Sequence, residues 1–412
     1  MNPFDTDLLD LPNEILLIIL KKLDNIDVLY SLFGINNQRL EILLQDDVFA
    51  NTLNLATTSS ITDLKLERFC TYILPRSDHC IKKLILETTS MERILLAGNY
   101  PNLTALELIN FEQKKVFHYF TGKHLTCSKG ELHNLKCFSL TSYDLIMNYD
   151  DLVVPLFRRM THLEKLTLYF RILHRNAFVD GTHLQNEILA HMPQLHTFTF
   201  YISTQEVIFS SFPRKSNSDI ERTFTNIRYG QTACIIDSFN GDHKAICHVY
   251  SLPFTFTRLE TITTHFPFIV FDTVTILSAY DMIPMQHEFF MRISQAFPML
   301  KYFSMKNERS QSLICDEWKS DKNSSYSIIE YPHLMSLDVM YADIDYIAQF
   351  LLETKTHLPR LTQLKVDYYQ LKTVTMNFTR DTIRRNCSKI NRLIVKVPTV
   401  FSKDVYQYFP SL

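Results

Sequence analysis

Glycine is scarce in this chain, with seven residues in 412, far below the average share of about 7%. Loops that cradle phosphate need several glycines close together, because the backbone must approach the oxyanion. Here no two glycines lie closer than Gly122 and Gly130. The sequence therefore excludes a P-loop, a dinucleotide-binding fingerprint, a kinase glycine loop and a G-x-S-x-G nucleophile elbow.

A strong net charge, long apolar runs and a cysteine framework are also missing. The net charge is −2, which gives no general attraction to nucleic acid or anionic membranes. No apolar run approaches the roughly 18 residues of a membrane span. Residues 1–5 include Asp5 and no basic residue, so they do not resemble the start of a secretory signal. The eight cysteines form no C-x-x-C pair, so we expect reduced thiols in a cytoplasmic or nuclear protein.

Residues with the chemistry of a metal or catalytic site are sparse. The densest group of cysteine and histidine is Cys234, His243, Cys247 and His248. Zinc sites usually show closely spaced ligand pairs at both ends, whereas Cys234 stands alone and Cys247 and His248 would point to opposite faces of a strand. We therefore expect no metal, no cofactor and no catalytic residue.

The first fifty residues predict three short helices, in a segment that holds nine acidic and three basic residues. The first helix begins near Pro12, which suits a first helical turn. Asp27 is expected to cap the second helix, and residues 36–44 predict the third. The first helix is apolar on nearly all sides, so it must be buried against the rest of the chain or against a partner.

The segment contains Leu11-Pro12, Glu14-Ile15-Leu16, Ile19, Leu23, Asp27-Val28 and a characteristic spacing of Leu32 and Arg39. In these residues it resembles the F-box, the three-helix module that docks on the Skp adaptor of cullin–RING ubiquitin ligases. F-boxes commonly carry a tryptophan near the third helix, where this chain has Gln38. The resemblance implies eight adaptor contacts: Leu11, Pro12, Ile15, Leu16, Ile19, Leu20, Leu23 and Leu32.

The rest of the chain repeats one short phrase, namely an aliphatic residue, two free positions, an apolar residue, one free position and another apolar residue. Clear copies begin at Leu103, Leu135, Leu163, Leu195, Leu300, Leu334, Leu361 and Ile390, and weaker ones at Ile81 and Leu259. Proline often stands just before the phrase, as at Pro101 and Pro298. Each copy predicts a strand whose later two apolar side chains point inward. Stretches such as 344–354 predict helices between the strands.

The repeats resemble the irregular leucine-rich repeats found behind F-boxes. The sequence thus predicts an α/β fold, with an N-terminal three-helix F-box over 5–50 and an irregular leucine-rich-repeat solenoid of parallel strands and outer helices over 51–412. Two insertions, near 202–256 and 307–329, interrupt the rhythm. The first contains Asn240-Gly241, a hairpin signal, and the second contains Trp318. Each is either a recognition loop or an extended repeat.

The resemblance implies a non-catalytic substrate-recognition subunit of an SCF-type E3 ubiquitin ligase. Its partners would be a Skp-type adaptor, a cullin scaffold and an unidentified protein target, with no nucleic acid and no membrane. The alternative is a leucine-rich-repeat interaction scaffold whose N-terminal helices only cap the solenoid. In either case the strand positions between inward residues would line the concave face and contact the target: Glu107, Ser139, Thr167, Tyr169, Thr199, Tyr201, Ser304, Lys306, Asp338, Met340, Lys365 and Asp367.

Overall fold

The fold is mixed α/β with parallel strand pairing, as the sequence predicts. The computed structural model describes residues 8–44, 47–56, 62–110, 134–207, 215–238, 244–267, 269–311, 327–397 and 400–412. The chain forms two compact units. The first unit comprises Met1–Glu206, Lys215–Cys234 and Val249–Ser251, and the second comprises Val207–Arg214, Ile235–His248 and Leu252–Leu412.

The strands of the described residues are β1 (Thr52–Asn54), β2 (Lys83–Glu87), β3 (Ala105–Ile109), β4 (Cys137–Ile146), β5 (Lys165–Ile172), β6 (Thr197–Val207), β7 (Gln231–Ser238), β8 (Lys244–Leu252), β9 (Arg258–Ile262), β10 (Ile276–Tyr280), β11 (Tyr302–Asn307), β12 (Ile329–Glu330), β13 (Ser336–Ala342), β14 (Thr356–His357), β15 (Gln363–Val366) and β16 (Arg392–Val395).

The α-helices are α1 (Asn13–Leu20), α2 (Asn25–Leu32), α3 (Gln38–Leu44), α4 (Asp47–Ala50), α5 (Asp63–Arg68), α6 (Leu74–Ser77), α7 (Thr88–Ala97), α8 (Val154–Arg158), α9 (Gly181–Glu187), α10 (Asn217–Glu221), α11 (His287–Ala296), α12 (Ile344–Leu351), α13 (Tyr368–Val374), α14 (Arg384–Cys387) and α15 (Lys403–Tyr408). Short 3₁₀ and π-helical turns include Leu8–Asp10, Phe69–Ile73 and Tyr149–Val153.

The first sheet has the strand order β1-β2-β3-β4-β5-β6-β8-β7. From β1 to β6 its strands are parallel, and the second apolar position of each phrase pairs with the same position of its neighbours. These residues form one buried row: Leu53, Leu84, Leu106, Phe138, Leu166 and Phe198. Repeated burial at the same register holds the strands together through apolar contact along the row.

The second sheet has the strand order β16-β15-β13-β11-β10-β9, again parallel. Its row pairs Leu259, Leu277, Phe303, Leu337, Leu364 and Leu393. The phrase predicted to begin at Leu259 is therefore wrong by three residues, because Leu259 occupies the second apolar position and pairs with Leu277. Thr261, with a φ of 60°, lies at an irregularity in this strand and lets Ile262 pair with Ala279.

Most of the turns that precede the phrases do not depend on glycine, because the first residue of the phrase closes each of them with a backbone hydrogen bond. The first phrase residue donates its N–H to the carbonyl three residues earlier, as Leu103 does to Tyr100 (3.1 Å) and Leu300 does to Phe297 (3.1 Å). Proline occupies the second position of these two turns, where its fixed φ is favourable. The two central residues of each turn are not left-handed, so neither position needs glycine, although Tyr100 itself has a φ of 45°.

The three predicted N-terminal helices are present as α1, α2 and α3. Asp24, rather than the predicted Asp27, caps α2, since its carboxylate accepts from the Ile26 N–H at 2.8 Å. After α2 the chain turns at Gly34, whose φ of +80° favours glycine. A Cβ there would come within 2.4 Å of the Tyr72 ring, so this glycine also permits close packing.

The two units bury different polar groups. In the described part of the first unit, the buried polar side chains are all serine or threonine hydroxyls, such as Ser142 and Thr204. The second unit buries carboxylates, including Asp237 and Asp281. Asp237 accepts hydrogen bonds from the backbone N–H (2.7 Å) and the hydroxyl of Thr263. Burial raises the pKa of Asp237 to about 6.

Candidate protein-interaction surfaces

The outer face of α1 is an exposed apolar surface formed by Leu8, Pro12, Ile15, Ile19 and Leu23. These residues follow helical spacing, so they lie along one side of the helix and its two ends. The aliphatic ones are between 38% and 56% exposed. Soluble proteins seldom leave so many large aliphatic side chains together in water unless a partner covers them.

The opposite side of α1 anchors the helix in the first unit. Leu16 is buried in a cluster with Leu40 and Leu43 of α3. Arg39 fixes the start of α1, because its guanidinium donates to the Asn13 side chain (2.6 Å) and to the carbonyls of Leu9 (2.7 Å) and Leu11. Since α1 is held from one side only, its outer face stays open.

The structure divides the eight predicted adaptor contacts into three groups. Pro12, Ile15, Ile19 and Leu23 are exposed, and Leu11 and Leu32 are half-buried. Leu16 and Leu20 are buried at 1% and 3% exposure. The last two belong to the core, because the helical period turns them toward the packed side.

Sequence reasoning missed five exposed aliphatic residues in the same region, namely Leu8, Leu9, Ile18, Ile35 and Ile42. Leu8 begins the outer face of α1, and Ile18 and Ile42 are 57% and 66% exposed. A strict period-of-four reading would have found Leu8 from its spacing to Pro12. Ile18 and Ile42 carry no such signal, since an apolar residue on a short helix can face either side.

The outer face of the first sheet, opposite its buried rows, carries small hydroxyl side chains. Glu107, Ser139, Thr167 and Thr199 pair in one row across β3 to β6 and are all half-buried. The structure therefore brings these four predicted residues together. Glu107 lies 3.2 Å from the Lys83 ammonium group, so the only carboxylate among the four already has a cationic partner.

Two residues further along β5 and β6, the tyrosines predicted to face the target are not exposed to solvent. Tyr169 and Tyr201 are 1% and 0% exposed, and their ring centroids lie 4.7 Å apart. Tyr143 packs edge-on against Tyr169 at 5.4 Å. Between Thr141 and Leu145, β4 holds two residues more than the paired stretch of β5. This bulge places Tyr143 beside the pair.

The outer face of the second sheet brings Ser304, Asp338 and Lys365 into one row. Asp338 and Lys365 form an ion pair at 3.4 Å. Asp367 lies just beyond β15, where its carboxylate caps α13 by accepting from the backbone N–H groups of Tyr369 (2.9 Å) and Gln370 (3.1 Å). A target contact predicted for Asp367 would therefore compete with this cap.

Met340 does not occupy the predicted position opposite Lys306. The register between β11 and β13 shifts by one residue, so Lys306 pairs with Tyr341 instead. Tyr341 is 52% exposed, whereas Met340 is half-buried. A one-residue bulge re-aims the side chains that follow it, and here it puts an aromatic ring beside a lysine.

Four residues from β10, β11, β13 and the end of β16 form what we call the tyrosine–lysine group: Tyr280, Lys306, Tyr341 and Lys396. The Lys306 ammonium lies 5.7 Å from the ring centroids of both tyrosines. The Lys396 ammonium lies 5.2 Å from the Tyr341 centroid. Of the four, the sequence predicted only Lys306.

The remaining sequence candidates give no site in the described residues. No group of three or more His, Cys, Asp or Glu side chains there could hold a metal ion. His243, Asn240-Gly241 and Trp318 lie outside the described residues. The strand-like runs on either side of Asn240-Gly241 are confirmed as β7 and β8, which are neighbours in the first sheet. No helix of the described residues is long and apolar enough to cross a bilayer.

Comparison with known proteins gives no match, either to a family model or to a curated protein sequence.

Proposed function

We propose that this chain is the substrate-recognition subunit of an SCF-type E3 ubiquitin ligase. Residues 5–50 act as an F-box that docks on a Skp-type adaptor, which is bound in turn to a cullin scaffold. The parallel strands form an irregular leucine-rich-repeat solenoid that binds the target protein. The chain contributes no catalytic group. It raises the local concentration of target lysines near a ubiquitin-loaded enzyme.

The outer face of α1 carries this proposal. An isolated cap on a repeat domain has no reason to expose aliphatic side chains on its solvent side, where alanine or charged residues would cost nothing. Ile15, within the L-P-x-E-I-L segment that resembles the F-box, is 43% exposed, and Ile19, three residues beyond that segment, is 38% exposed. Because each side chain is already more than half buried, covering them with an adaptor would contribute roughly 0.5–1.5 kcal/mol per side chain.

Adaptor binding by the purified full-length chain tests the proposal. We expect the wild type to bind a Skp-type adaptor and the double variant Ile15→Asp, Ile19→Asp to lose at least about 100-fold in affinity, because two carboxylates would be buried without partners. Both positions are exposed, so the variant should fold, as its thermal unfolding can verify.

A matched control tests whether the loss of adaptor binding is specific to the outer face of α1 or follows from a charge at any exposed leucine. Leu64 on α5 is 79% exposed and lies outside that face, so Leu64→Asp should leave adaptor binding unchanged. If the wild type does not bind, or if the double variant binds equally well, the F-box proposal is wrong.

A non-ligase scaffold with an N-terminal cap is the second candidate, and the packing of α2 favours it. Helices α2 and α4 pack against β1, the edge strand of the first sheet. Asp27 pairs with Lys65 at 3.0 Å, and Arg68 donates to the Phe33 carbonyl at 2.9 Å. The helices thus cover a strand edge that would otherwise be open. An adaptor-binding result decides between the candidates, since a cap alone predicts no affinity.

A further inference from the structure

The tyrosine–lysine group concentrates positive charge that the second sheet does not neutralise. On the same face Asp338 pairs with Lys365 at 3.4 Å and Arg258 with Glu260. Lys306 and Lys396 instead face tyrosine rings. Neither lysine has an acidic partner among the ion pairs of the described chain, so both ammonium groups remain available to an incoming anion.

The geometry of the group fits two carboxylates of one extended segment. Both ammonium groups lie within 5.7 Å of the same Tyr341 ring centroid. Alternate side chains of an extended chain point to the same side and are about 7 Å apart, so residues i and i+2 can reach both lysines. The tyrosine rings supply rigid, amphipathic contact area between them.

We propose that the outer face of the second sheet binds an acidic protein segment, whose carboxylates pair with Lys306 and Lys396 over the rings of Tyr280 and Tyr341. This inference rests on the proposed function and names the chemistry of its target. A protein segment is favoured over nucleic acid because its few acidic side chains can be spaced to reach the two lysines and avoid Asp338 and Asp367, whereas a phosphate backbone carries charge along its whole length.

Fluorescence anisotropy with the full-length chain tests the inference. The probe is a fluorescein-labelled peptide of six Glu-Gly repeats, and the comparison peptide has six Gln-Gly repeats. We expect the Glu-Gly peptide to bind, with affinity that falls as salt rises, and the Gln-Gly peptide to bind at least tenfold more weakly. The double variant Lys306→Gln, Lys396→Gln should lose about tenfold or more in affinity for the Glu-Gly peptide.

Lys301→Gln combined with Lys165→Gln is the matched control, because it removes the same charge from exposed positions. Lys301 lies five residues before Lys306, about 16 Å along an extended chain. Binding should be unchanged in this control. The inference is overturned if both double variants lose affinity equally, if the two peptides bind alike, or if an oligothymidine of twelve nucleotides displaces the peptide and binds more tightly.

The same variants separate this inference from the proposed function. Lys306→Gln with Lys396→Gln should bind a Skp-type adaptor as the wild type does, because the outer face of α1 is untouched. Loss of peptide binding with adaptor binding retained is therefore the expected result. Adaptor binding without any peptide binding by the wild type overturns the acidic-segment inference alone, and peptide binding without adaptor binding overturns the ligase proposal alone.

Discussion

Each sheet has a bulge a few residues beyond its buried row, in β4 of the first sheet and in β13 of the second. The tyrosines near the two bulges differ in their exposure. In the first sheet, β4 carries two extra residues opposite β5, and Tyr143 packs against Tyr169, which is buried with Tyr201. In the second sheet, β13 carries one extra residue opposite β11, and Tyr341 is half exposed beside Lys306. The tyrosines beside the bulge are therefore part of the core in the first sheet and part of the surface in the second.

Truncating the tyrosines should give the largest difference between the sheets. We expect Tyr201→Ala to destabilise the fold by about 3–5 kcal/mol, as for other buried aromatic rings. Tyr341→Ala should cost less than about 1 kcal/mol, because an exposed ring loses only its cation–π contact. Urea denaturation followed by circular dichroism measures both.

The comparison of Tyr201 and Tyr341 has an internal control. Tyr201→Phe keeps the ring and should retain most of the stability, with a loss near 1 kcal/mol for the hydroxyl group. Equal losses of stability for Tyr201→Ala and Tyr341→Ala would contradict the assignment of Tyr201 to the core and Tyr341 to the surface.

Buried carboxylates should make the stability of the second unit depend on pH in the acidic range. The buried serine and threonine hydroxyls of the first unit do not titrate there. Burial raises the pKa of Asp237 from 3.8 to about 6. Between these values the folded state binds more protons than the unfolded state, so stability is greatest below pH 4 and falls as pH rises through 6. The shift corresponds to about 3 kcal/mol.

Asp237→Asn isolates this contribution. The amide oxygen can still accept a hydrogen bond from the Thr263 N–H, but the side chain no longer titrates. Unfolding free energies from urea titrations at pH 4, 5, 6 and 7 should show a difference between wild type and variant that changes by about 2–2.5 kcal/mol across this range in disfavour of the wild type. A difference that is constant with pH would contradict the assignment to Asp237.

The sequence was enough to predict the strands, because the phrase itself supplies the buried row and the turn before it. The copies at Leu103, Leu163 and Leu334 all lead into observed strands. Four further strands were missed, namely β1, β10, β12 and β14. The phrases of β1 and β10, at Ala50-x-x-Leu53-x-Leu55 and Val274-x-x-Leu277-x-Ala279, each place alanine where the pattern requires a larger apolar residue. Alanine suffices there, because the neighbouring strands contribute the rest of the apolar contact.

The outer surfaces were predicted less well, since alternation assigns a face but does not locate an inserted residue. Tyr169 and Tyr201 were expected at the surface and are buried, and Met340 was expected where Tyr341 lies. The second error follows from a bulge, which shifts register without changing the apolar pattern on either side. Tyr169 and Tyr201 keep the regular register of β5 and β6, and alternation alone does not show that they pack against each other and, for Tyr169, against Tyr143. Similarly, the apolar pattern of α1 predicts a helix, but only packing against α3 decides that Leu16 is inside and Ile15 outside.

Ion pairs on the two outer faces should give the smallest effect and the finest test of their difference. On each outer face a pair joins neighbouring strands, Lys83 with Glu107 at 3.2 Å and Lys365 with Asp338 at 3.4 Å. Partly exposed pairs contribute at most about 1 kcal/mol to stability, so neither Glu107→Gln nor Asp338→Asn should unfold the chain.

These two substitutions should nevertheless differ in binding. Asp338→Asn leaves Lys365 without its carboxylate partner, in the same sheet as Lys306 and Lys396, and should strengthen binding of the Glu-Gly peptide about two- to threefold. Glu107→Gln releases Lys83 in the first sheet, whose described outer face has no tyrosine–lysine group, and should leave peptide affinity unchanged. Both variants make the same change in net charge. An equal gain in peptide affinity would therefore show that overall charge, and not the arrangement of the second sheet, attracts the acidic segment.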